Sequence, residues 1–166
     1  IHYRERVTNV EAAEDGFTVT TDADSYPCRA VLLAIGRRGT PRQLGVVGEG
    51  LPKVVYQLID PEQYRGMHVL VVGGGDSALE AAASIAGEHS TVVTLSYRGD
   101  AFGRARVKNR ERVNRLAAAG RIQLLLSTEV AEIAPGHVDL ALKSGTRRLR
   151  NDKVIICAGG VLPHDF

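Results

Sequence analysis

Residues 67–95, MHVLVVGGGDSALEAAASIAGEHSTVVTL, decide the fold. Residues 67–72 are a short apolar run typical of a buried strand, and three glycines end it. Small and apolar residues recur at helical spacing across 77–88, which predicts a helix, and residues 91–95 predict the next strand. A strand, a helix and a strand in so short a segment form a βαβ unit, in which the strands pair in parallel and the crossover is right-handed.

The glycines fit the pattern G-x-G-x-x-[GA], with Gly73, Gly75 and Ala78 at its key positions. Gly73 permits a tight turn, Gly75 lacks the Cβ that would keep a pyrophosphate off the backbone, and Ala78 lets the helix lie close to the strand. The free amides at the helix start then bind the anion, helped by the helix dipole. We therefore predict a dinucleotide site at Gly73, Gly74, Gly75, Asp76, Ser77 and Ala78. The competing interpretation is a glycine-rich turn that binds nothing.

The residues after the second strand indicate which dinucleotide is bound. An NAD site usually has an acidic residue there to hold the ribose hydroxyls, but this chain has Ser96, Tyr97 and Arg98, all three of which are expected to bind the cofactor. A cationic run follows, comprising Arg98, Arg104, Arg106, Lys108, Arg110, Arg112 and Arg115. Arginine forms forked hydrogen bonds with phosphate, so Arg98 and Arg104 are predicted to clamp the 2′-phosphate of NADP. Two such charged bonds would favour NADP over NAD by about two to four decades.

The cationic run has two other interpretations. A solvated helix face accounts for Arg110, Arg112 and Arg115 without any ligand. A nucleic-acid patch is the second alternative, but Tyr97 and Phe102 are the only aromatic residues near the run, and no nucleic-acid motif is present. We therefore expect no nucleic-acid partner.

The flanking segments complete an α/β prediction. Residues 14–16 form an Asp-Gly turn between two runs of a β-hairpin, and residues 29–35 (RAVLLAI) read as a strand buried on both faces. Residues 37–51 are irregular, and Asp60-Pro61-Glu62 caps one short helical turn.

A second helix is predicted over 107–119, ending at Gly120, followed by strands over 122–126 and 153–157. Between those strands, residues 129–133, 137–143 and 146–150 predict a small antiparallel β-meander. The predicted fold class is α/β: a Rossmann-like parallel sheet with helices and the meander, plus part of a flanking β-rich segment.

Composition and residue spacing exclude several classes of protein. Apolar residues make up 44% of the 166-residue chain, charged residues 24%, and the net charge is +2, which is an ordinary globular mixture. No apolar run approaches the roughly 20 residues of a membrane span. Cys28 and Cys157 belong to no paired motif, and the five histidines show no ligand spacing, so no metal is expected. The chain starts at Ile1 without a signal-peptide pattern and reads like part of a longer protein.

Two segments resemble a known family. Residues 69–80 (VLVVGGGDSALE) resemble the nicotinamide-binding segment of the thioredoxin-reductase-like flavoproteins, a branch of the pyridine nucleotide-disulfide oxidoreductases. Residues 96–105 (SYRGDAFGRA) resemble that family's His-Arg-Arg motif for NADPH. Here Tyr97 stands where His is common, Arg98 matches, Gly99 replaces the second arginine, and Arg104 lies near the later arginine with one residue inserted.

The resemblance implies a domain arrangement in which the NADPH domain is inserted into an FAD domain. Residues 30–41 (AVLLAIGRRGTP) and 154–163 (VIICAGGVLP) look like the two crossings between the domains, which adds Ala158 and Gly159 to the expected cofactor-binding residues. Residues 1–50 would end the first FAD segment, 51–66 would be a linker, 67–157 the NADPH domain and 158–166 the return to the FAD domain. The FAD-binding glycine loop and the C-terminal Gly-Asp segment are missing, so this fragment alone is not expected to hold FAD or to turn over.

The resemblance also indicates which branch of the family the parent protein belongs to. Small thioredoxin reductases carry Cys-x-x-Cys shortly before this glycine loop, whereas residues 56–60 read YQLID. The expected parent is therefore a dithiol-free relative, similar to the bacillithiol-disulfide-reductase-like proteins or the thioredoxin-reductase-like ferredoxin-NADP reductases. Cys28 and Cys157 are interpreted as structural thiols. We expect a cytoplasmic protein, a homodimer as in much of the family, and an electron acceptor that the sequence does not name.

The function expected from the resemblance is hydride transfer from NADPH to FAD, and from FAD to that acceptor. The cofactors carry this chemistry, so no catalytic residue is nominated. Glu80 could contact the nicotinamide end of the ligand, but residues 77–80 also have the spacing of a capping box, which is the preferred interpretation. The alternatives are a nucleotide-binding module without catalysis and part of a flavin-dependent monooxygenase.

Overall fold

The computed structural model describes residues 2–34 and 40–161. Its backbone divides into two compact units, of which the first ends at Thr40 and the second extends over Pro41–Val161.

The first unit contains a three-stranded antiparallel sheet. Its strands are β1 (Val7–Ala13), β2 (Gly16–Thr21) and β3 (Ser25–Cys28), in the order β1-β2-β3. Ala13 pairs with Gly16, so Glu14 and Asp15 form the turn and the predicted hairpin is confirmed. The third strand was not predicted.

The buried strand predicted over residues 29–35 is wrong for its described part. Residues 29–34 contain no strand, and the side chains of Leu32 and Leu33 are 91% and 61% exposed. An apolar run specifies burial only if other strands and helices cover it, and none does so among the described residues. Residues 35–39 and 162–166, which include Gly36 and Pro163, lie outside the described residues.

From Thr40 onward the chain forms, in order, β4 (Thr40–Pro41), β5 (Val54–Val55), a 3-10 turn (Pro61–Tyr64), β6 (His68–Val72), α1 (Asp76–Ile85), β7 (Val92–Tyr97), α2 (Val107–Ala118), β8 (Ile122–Leu126), β9 (Glu129–Ala134), β10 (His137–Leu142), β11 (Gly145–Arg150), β12 (Lys153–Ile156) and β13 (Gly160–Val161). The Asp60 side chain accepts a hydrogen bond from the Glu62 N–H at 3.0 Å, which confirms the predicted turn. Gly120 follows α2 with φ +71°, the left-handed conformation expected after a helix.

Five of these strands form a parallel sheet in the order β5-β12-β6-β7-β8, and three form the antiparallel meander β11-β10-β9. The βαβ unit, the meander and strands β6, β7, β8 and β12 were predicted, whereas β5 lies in the segment predicted to be a linker. Helix α1 ends three residues before the predicted end at residue 88. The guanidinium groups of Arg112 and Arg121 donate to the Ala83 and Ala86 carbonyl oxygens at the end of this helix, where backbone acceptors lack helical partners.

The parallel sheet lies between two layers. Alternate residues of β6 point to opposite faces, so Val69 and Val71 join the helix-side core with Leu79, whereas Leu70 and Val72 join the meander-side core. Both faces are therefore covered, as the continuous apolar runs of β6 and β12 predict.

Lys53 fastens the meander to the parallel sheet. Its ammonium group lies 2.6 Å from the Ala134 carbonyl oxygen, 3.1 Å from that of Asn151 and 3.3 Å from those of Pro135 and His137. The residue is 8% exposed, and its burial lowers the pKa of the ammonium group. No local sequence pattern predicts this contact, because the partners of Lys53 are main-chain carbonyls about 80–100 positions away.

Candidate dinucleotide site

The glycine loop begins with a residue that has no room for a side chain. Gly73 follows β6 with φ +144°, and a Cβ there would collide with the Cys157 carbonyl oxygen and lie 3.0 Å from the Ala78 Cβ. Its N–H donates to the Ser96 carbonyl oxygen at 2.9 Å, and Ala78 is fully buried. These contacts are the tight turn and close helix approach for which glycine and alanine were expected.

Gly75 occupies the open side of the loop. It is the N-cap of α1, no side chain caps the helix, and a Cβ on Gly75 would meet nothing within 4 Å. The first amides of a helix lack helical partners, and here the Ala78 N–H donates to the Gly75 carbonyl oxygen at 3.1 Å, which leaves the Asp76 and Ser77 N–H groups without a partner among the described residues. A group can therefore approach this backbone from outside without displacing another part of the described chain.

The predicted capping box is wrong. Helix α1 begins at Asp76, one residue before the predicted start, so Ser77 lies inside the first turn and is exposed. The Glu80 carboxylate accepts a hydrogen bond from the Asn109 side-chain amide at 2.8 Å rather than from the helix start. Glycine at the N-cap accounts for the shift, since it begins the helix without a side-chain acceptor.

The Asp76 carboxylate connects α1 to the start of α2. Its Oδ1 accepts hydrogen bonds from the Arg106 N–H and the Asn109 side-chain amide, both at 2.8 Å, and its Oδ2 lies 3.7 Å from Arg106 Nε. These donors lower the pKa of Asp76, with the Arg106 amide contributing most. The side chain thus fixes the loop that carries Arg104 and Arg106.

Ser96 is completely buried at the end of β7. Its hydroxyl lies 2.8 Å from that of Thr128, and its carbonyl oxygen accepts the hydrogen bond from Gly73. The structure therefore commits both polar groups of Ser96 to neighbouring protein groups.

The Tyr97 ring lies between two glycines. A Cβ on Gly74 would collide with one edge of the ring, and a Cβ on Gly99 would lie 2.6 Å from Cε1 on the other edge. Phe102 stacks against the same ring, with centroids 5.5 Å apart and planes at 21°. The ring thus covers Gly74, whereas Gly75 stays open.

Arg98 follows Tyr97 and Arg104 follows Phe102 by two residues; both are exposed, and neither side chain forms a hydrogen bond or ion pair with a described residue. Their neighbours in the cationic run differ, because Arg106 pairs with Asp76 and Arg112 contacts the end of α1. Arg98 and Arg104 therefore keep their donors available.

Ala158 and Gly159 follow β12, which neighbours β6 in the parallel sheet. The Cys157 N–H donates to the Val72 carbonyl oxygen at 2.7 Å, and the Gly159 carbonyl oxygen accepts from the Arg42 N–H at 2.9 Å. The ends of β6, β7 and β12 therefore meet at one edge of the sheet. We call this the carboxyl edge, comprising residues 73–78, 96–104 and 157–159.

The two thiols have different surroundings. Burial raises the pKa of Cys157 to about 11, so this thiol stays protonated at neutral pH, as expected of a structural cysteine. Cys28 is half-buried in β3.

Asn109 and Thr128 are two site residues that the sequence pattern did not predict. Asn109 is 6% exposed and joins Asp76 to Glu80, and Thr128 joins Ser96 to the Leu125 carbonyl oxygen. A polar residue on the apolar stripe of α2 was the available signal for Asn109. Residues 2–34 and 40–161 contain no cluster of side chains suited to a metal ion.

A small hollow opens at the opposite edge of the parallel sheet, with His68, Thr94 and Asn151 in its lining. The buried Oδ1 of Asn151 lacks a hydrogen-bond partner among the described residues. Sheets of this type bind ligands beyond the carboxyl ends of their strands, so this hollow is not assigned as the site.

Comparison with known proteins identifies the family. The model of the family described as pyridine nucleotide-disulphide oxidoreductase matches residues 1–166. The chain belongs to this family. A relative from Ignicoccus hospitalis named ferredoxin–NADP reductase is 37% identical over 133 residues, which cover 78% of this chain and 41% of that protein. A protein of the same name from Levilactobacillus brevis is 31% identical over 169 residues, covering 96% of this chain and 50% of its own length.

Solved structures confirm the predicted α/β fold. The bacillithiol disulfide reductase of Staphylococcus aureus superposes with a TM-score of 0.80 at 26% identity, covering 93% of this chain and 48% of that one. The predicted thioredoxin-reductase-like family is confirmed, and the chain spans about half the length of the relatives it matches. Neither helix among the described residues has the length and hydropathy needed to cross a bilayer.

Proposed function

We propose that this chain is the NADPH-binding part of a flavin-dependent oxidoreductase. The observation that carries the proposal is the carboxyl edge, which combines the open backbone at Gly75 and the start of α1 with two exposed arginines that have no hydrogen-bond or ion-pair partner among the described residues. The family and the named relatives support the reaction class.

The loop and the start of α1 would hold the pyrophosphate. Gly73 and Ala78 bring the helix close to β6, and the open face of Gly75 lets an anion reach uncapped amides. Asp76 would contribute its backbone N–H rather than its carboxylate, because the carboxylate is bonded to Arg106 and Asn109. Ser77 would likewise contribute its N–H.

Arg98 and Arg104 would bind the 2′-phosphate. Both follow β7, no carboxylate of a described residue neutralises either one, and guanidinium groups bind phosphate in a forked geometry. Ser96 would support this side of the site through the main chain, because its hydroxyl is bonded to Thr128.

Residues 157–159 would border the nicotinamide end, since β12 lies beside β6 on the side away from β7. Bound NADPH supplies a hydride, which a flavin accepts. We propose that the domain arrangement implied by the resemblance holds, with residues 67–157 as the NADPH domain, and that residues outside this chain bind the flavin.

Side-by-side titrations of NADPH and NADH by calorimetry test the function. We expect NADPH to bind more tightly, and the double variant Arg98→Ala/Arg104→Ala to lose about two to four decades of NADPH affinity with little loss for NADH. Arg147→Ala is the matched control, because Arg147 is an exposed arginine of the meander. Failure of the wild type to bind either nucleotide would refute the function, and equal losses for both nucleotides in the double variant would refute the clamp.

A further inference from the structure

Tyr97 combines contacts that neither the glycine pattern nor the arginines explain. Its ring is wedged between the backbones of Gly74 and Gly99 and is backed by Phe102. The Tyr97 hydroxyl forms no hydrogen bond with any described residue, so the side chain interacts with its surroundings through the packing of its ring.

The Tyr97 ring leaves no room for a side chain at either Gly74 or Gly99. Gly75 faces open space, but a methyl group on Gly74 or Gly99 would meet the ring of Tyr97. Gly74 therefore admits the ring rather than a ligand. The same contact explains why a residue with a side chain does not fit at position 99 while Tyr97 keeps this rotamer.

The ring also fixes the segment that carries Arg98. On its far side this segment is held by the Ser127 N–H, which donates to the Gly99 carbonyl oxygen at 2.9 Å, and by the Thr128 N–H, which donates to the Tyr97 carbonyl oxygen at 3.1 Å. Arg98 thus stands between a ring contact to the glycine loop and a main-chain contact to the start of the meander.

We propose that Tyr97 is a positioning residue whose ring sets the distance between the glycine loop and the Arg98 segment, and thereby the preference for a 2′-phosphorylated nucleotide. This inference rests on the proposed function. It assigns Tyr97 a role through packing rather than through contact with the ligand, and it makes Gly74, Tyr97 and Gly99 one coupled unit.

A double-mutant cycle in the full chain tests the proposal, with NADPH and NADH affinities and the melting temperature measured for each variant. Tyr97→Phe keeps the ring and should leave both affinities unchanged. Tyr97→Ala should weaken NADPH by roughly tenfold and NADH much less, because Arg98 loses its fixed position. Tyr3→Ala is the control, since Tyr3 is 82% exposed.

Coupling provides the second readout. Gly74→Ala and Gly99→Ala should each weaken NADPH in the presence of Tyr97, but add little to Tyr97→Ala, because the methyl group then has room. Additive losses would overturn the inference, as would equal loss of NADPH and NADH in Tyr97→Ala or a loss in Tyr97→Phe. If the wild type prefers NADPH and these results fail, only the inference falls. If the wild type binds neither nucleotide, the proposed function falls with it.

Discussion

Cationic side chains at the carboxyl edge and on the meander side of the parallel sheet differ in burial and in hydrogen bonding. Lys53, beneath the meander, is buried and surrounded by four carbonyl oxygens, whereas Arg98 and Arg104 are exposed and have no partner among the described residues. A buried charge must be satisfied by the protein itself, and an exposed one is satisfied by water until a ligand replaces the water. The comparison separates cations that hold the fold together from cations available for binding.

The glycines differ in the same way. A Cβ on Gly48 would collide with the Ile133 carbonyl oxygen, so glycine there allows the backbone to approach the meander. At Gly75, by contrast, the space is empty. Close packing explains glycine at position 48, whereas no described part of the chain would contact a side chain at position 75, so a side chain added there tests for a ligand.

Gly75→Val should have the largest effect on binding. The new side chain fits the free protein but occupies the space in which the pyrophosphate would approach, so we expect loss of at least about a hundredfold in NADPH affinity from broken amide–phosphate bonds. The melting temperature should change little. Gly136→Val in the meander turn is the control, because a Cβ there also meets nothing within 4 Å. Unchanged NADPH affinity in folded Gly75→Val would remove the site.

Lys53→Met should show the reverse pattern. The variant keeps the aliphatic chain but leaves four carbonyl groups without their donor, so urea unfolding should report a loss of about 2–4 kcal/mol. NADPH affinity should remain near the wild-type value, as measured by the same titration. Lys143→Met, an exposed position in the meander, should be nearly neutral. A small loss in Lys53→Met would mean that water replaces the ammonium group.

Substitution of Asp139 should have the smallest effect on stability, and the pH dependence of that effect tests an ion pair in the meander. Arg148 donates to both oxygens of its carboxylate at 2.8 and 2.7 Å, which lowers the pKa of Asp139 in the folded protein. The pair therefore stabilises the fold above the usual aspartate pKa, and this contribution is lost as the pH falls through the lowered value. Because Arg148 is largely exposed, the effect is modest.

Urea midpoints at pH 7 and pH 3 measure this contribution. Asp139→Asn should be less stable than the wild type at pH 7, and the difference should shrink at pH 3. A difference independent of pH would show that the ion pair contributes nothing and that the variant acts through packing alone.

The sequence correctly predicted the structural features that depend on residues close together along the chain. The alternation around residues 14–16 specified the hairpin, and the apolar strands separated by glycines specified the βαβ unit and the parallel sheet. In the candidate site, the reasons given for Gly73 and Ala78 agree with the contacts that these residues make. Each of these predictions rests on spacing along the chain, which the backbone converts directly into a face or a turn.

Predictions from local sequence patterns were wrong where contacts with distant segments determine the structure. Residues 77–80 match the residue pattern of a capping box, but helix α1 starts at Asp76 and the Glu80 carboxylate accepts a hydrogen bond from Asn109. Leu32 and Leu33 belong to an apolar run, yet nothing among the described residues covers them.

The sequence by itself determined the βαβ unit, the meander and the place of the glycine loop, because hydrophobic periodicity and glycine act within a few residues. Only the tertiary structure decided that Gly74 accommodates Tyr97, that Gly75 faces open space, and that Lys53 is bonded while Arg98 has no partner in the described part of the chain. These outcomes depend on which distant backbone groups come within about 3 Å, a distance set by the packing of whole layers and not by any local pattern.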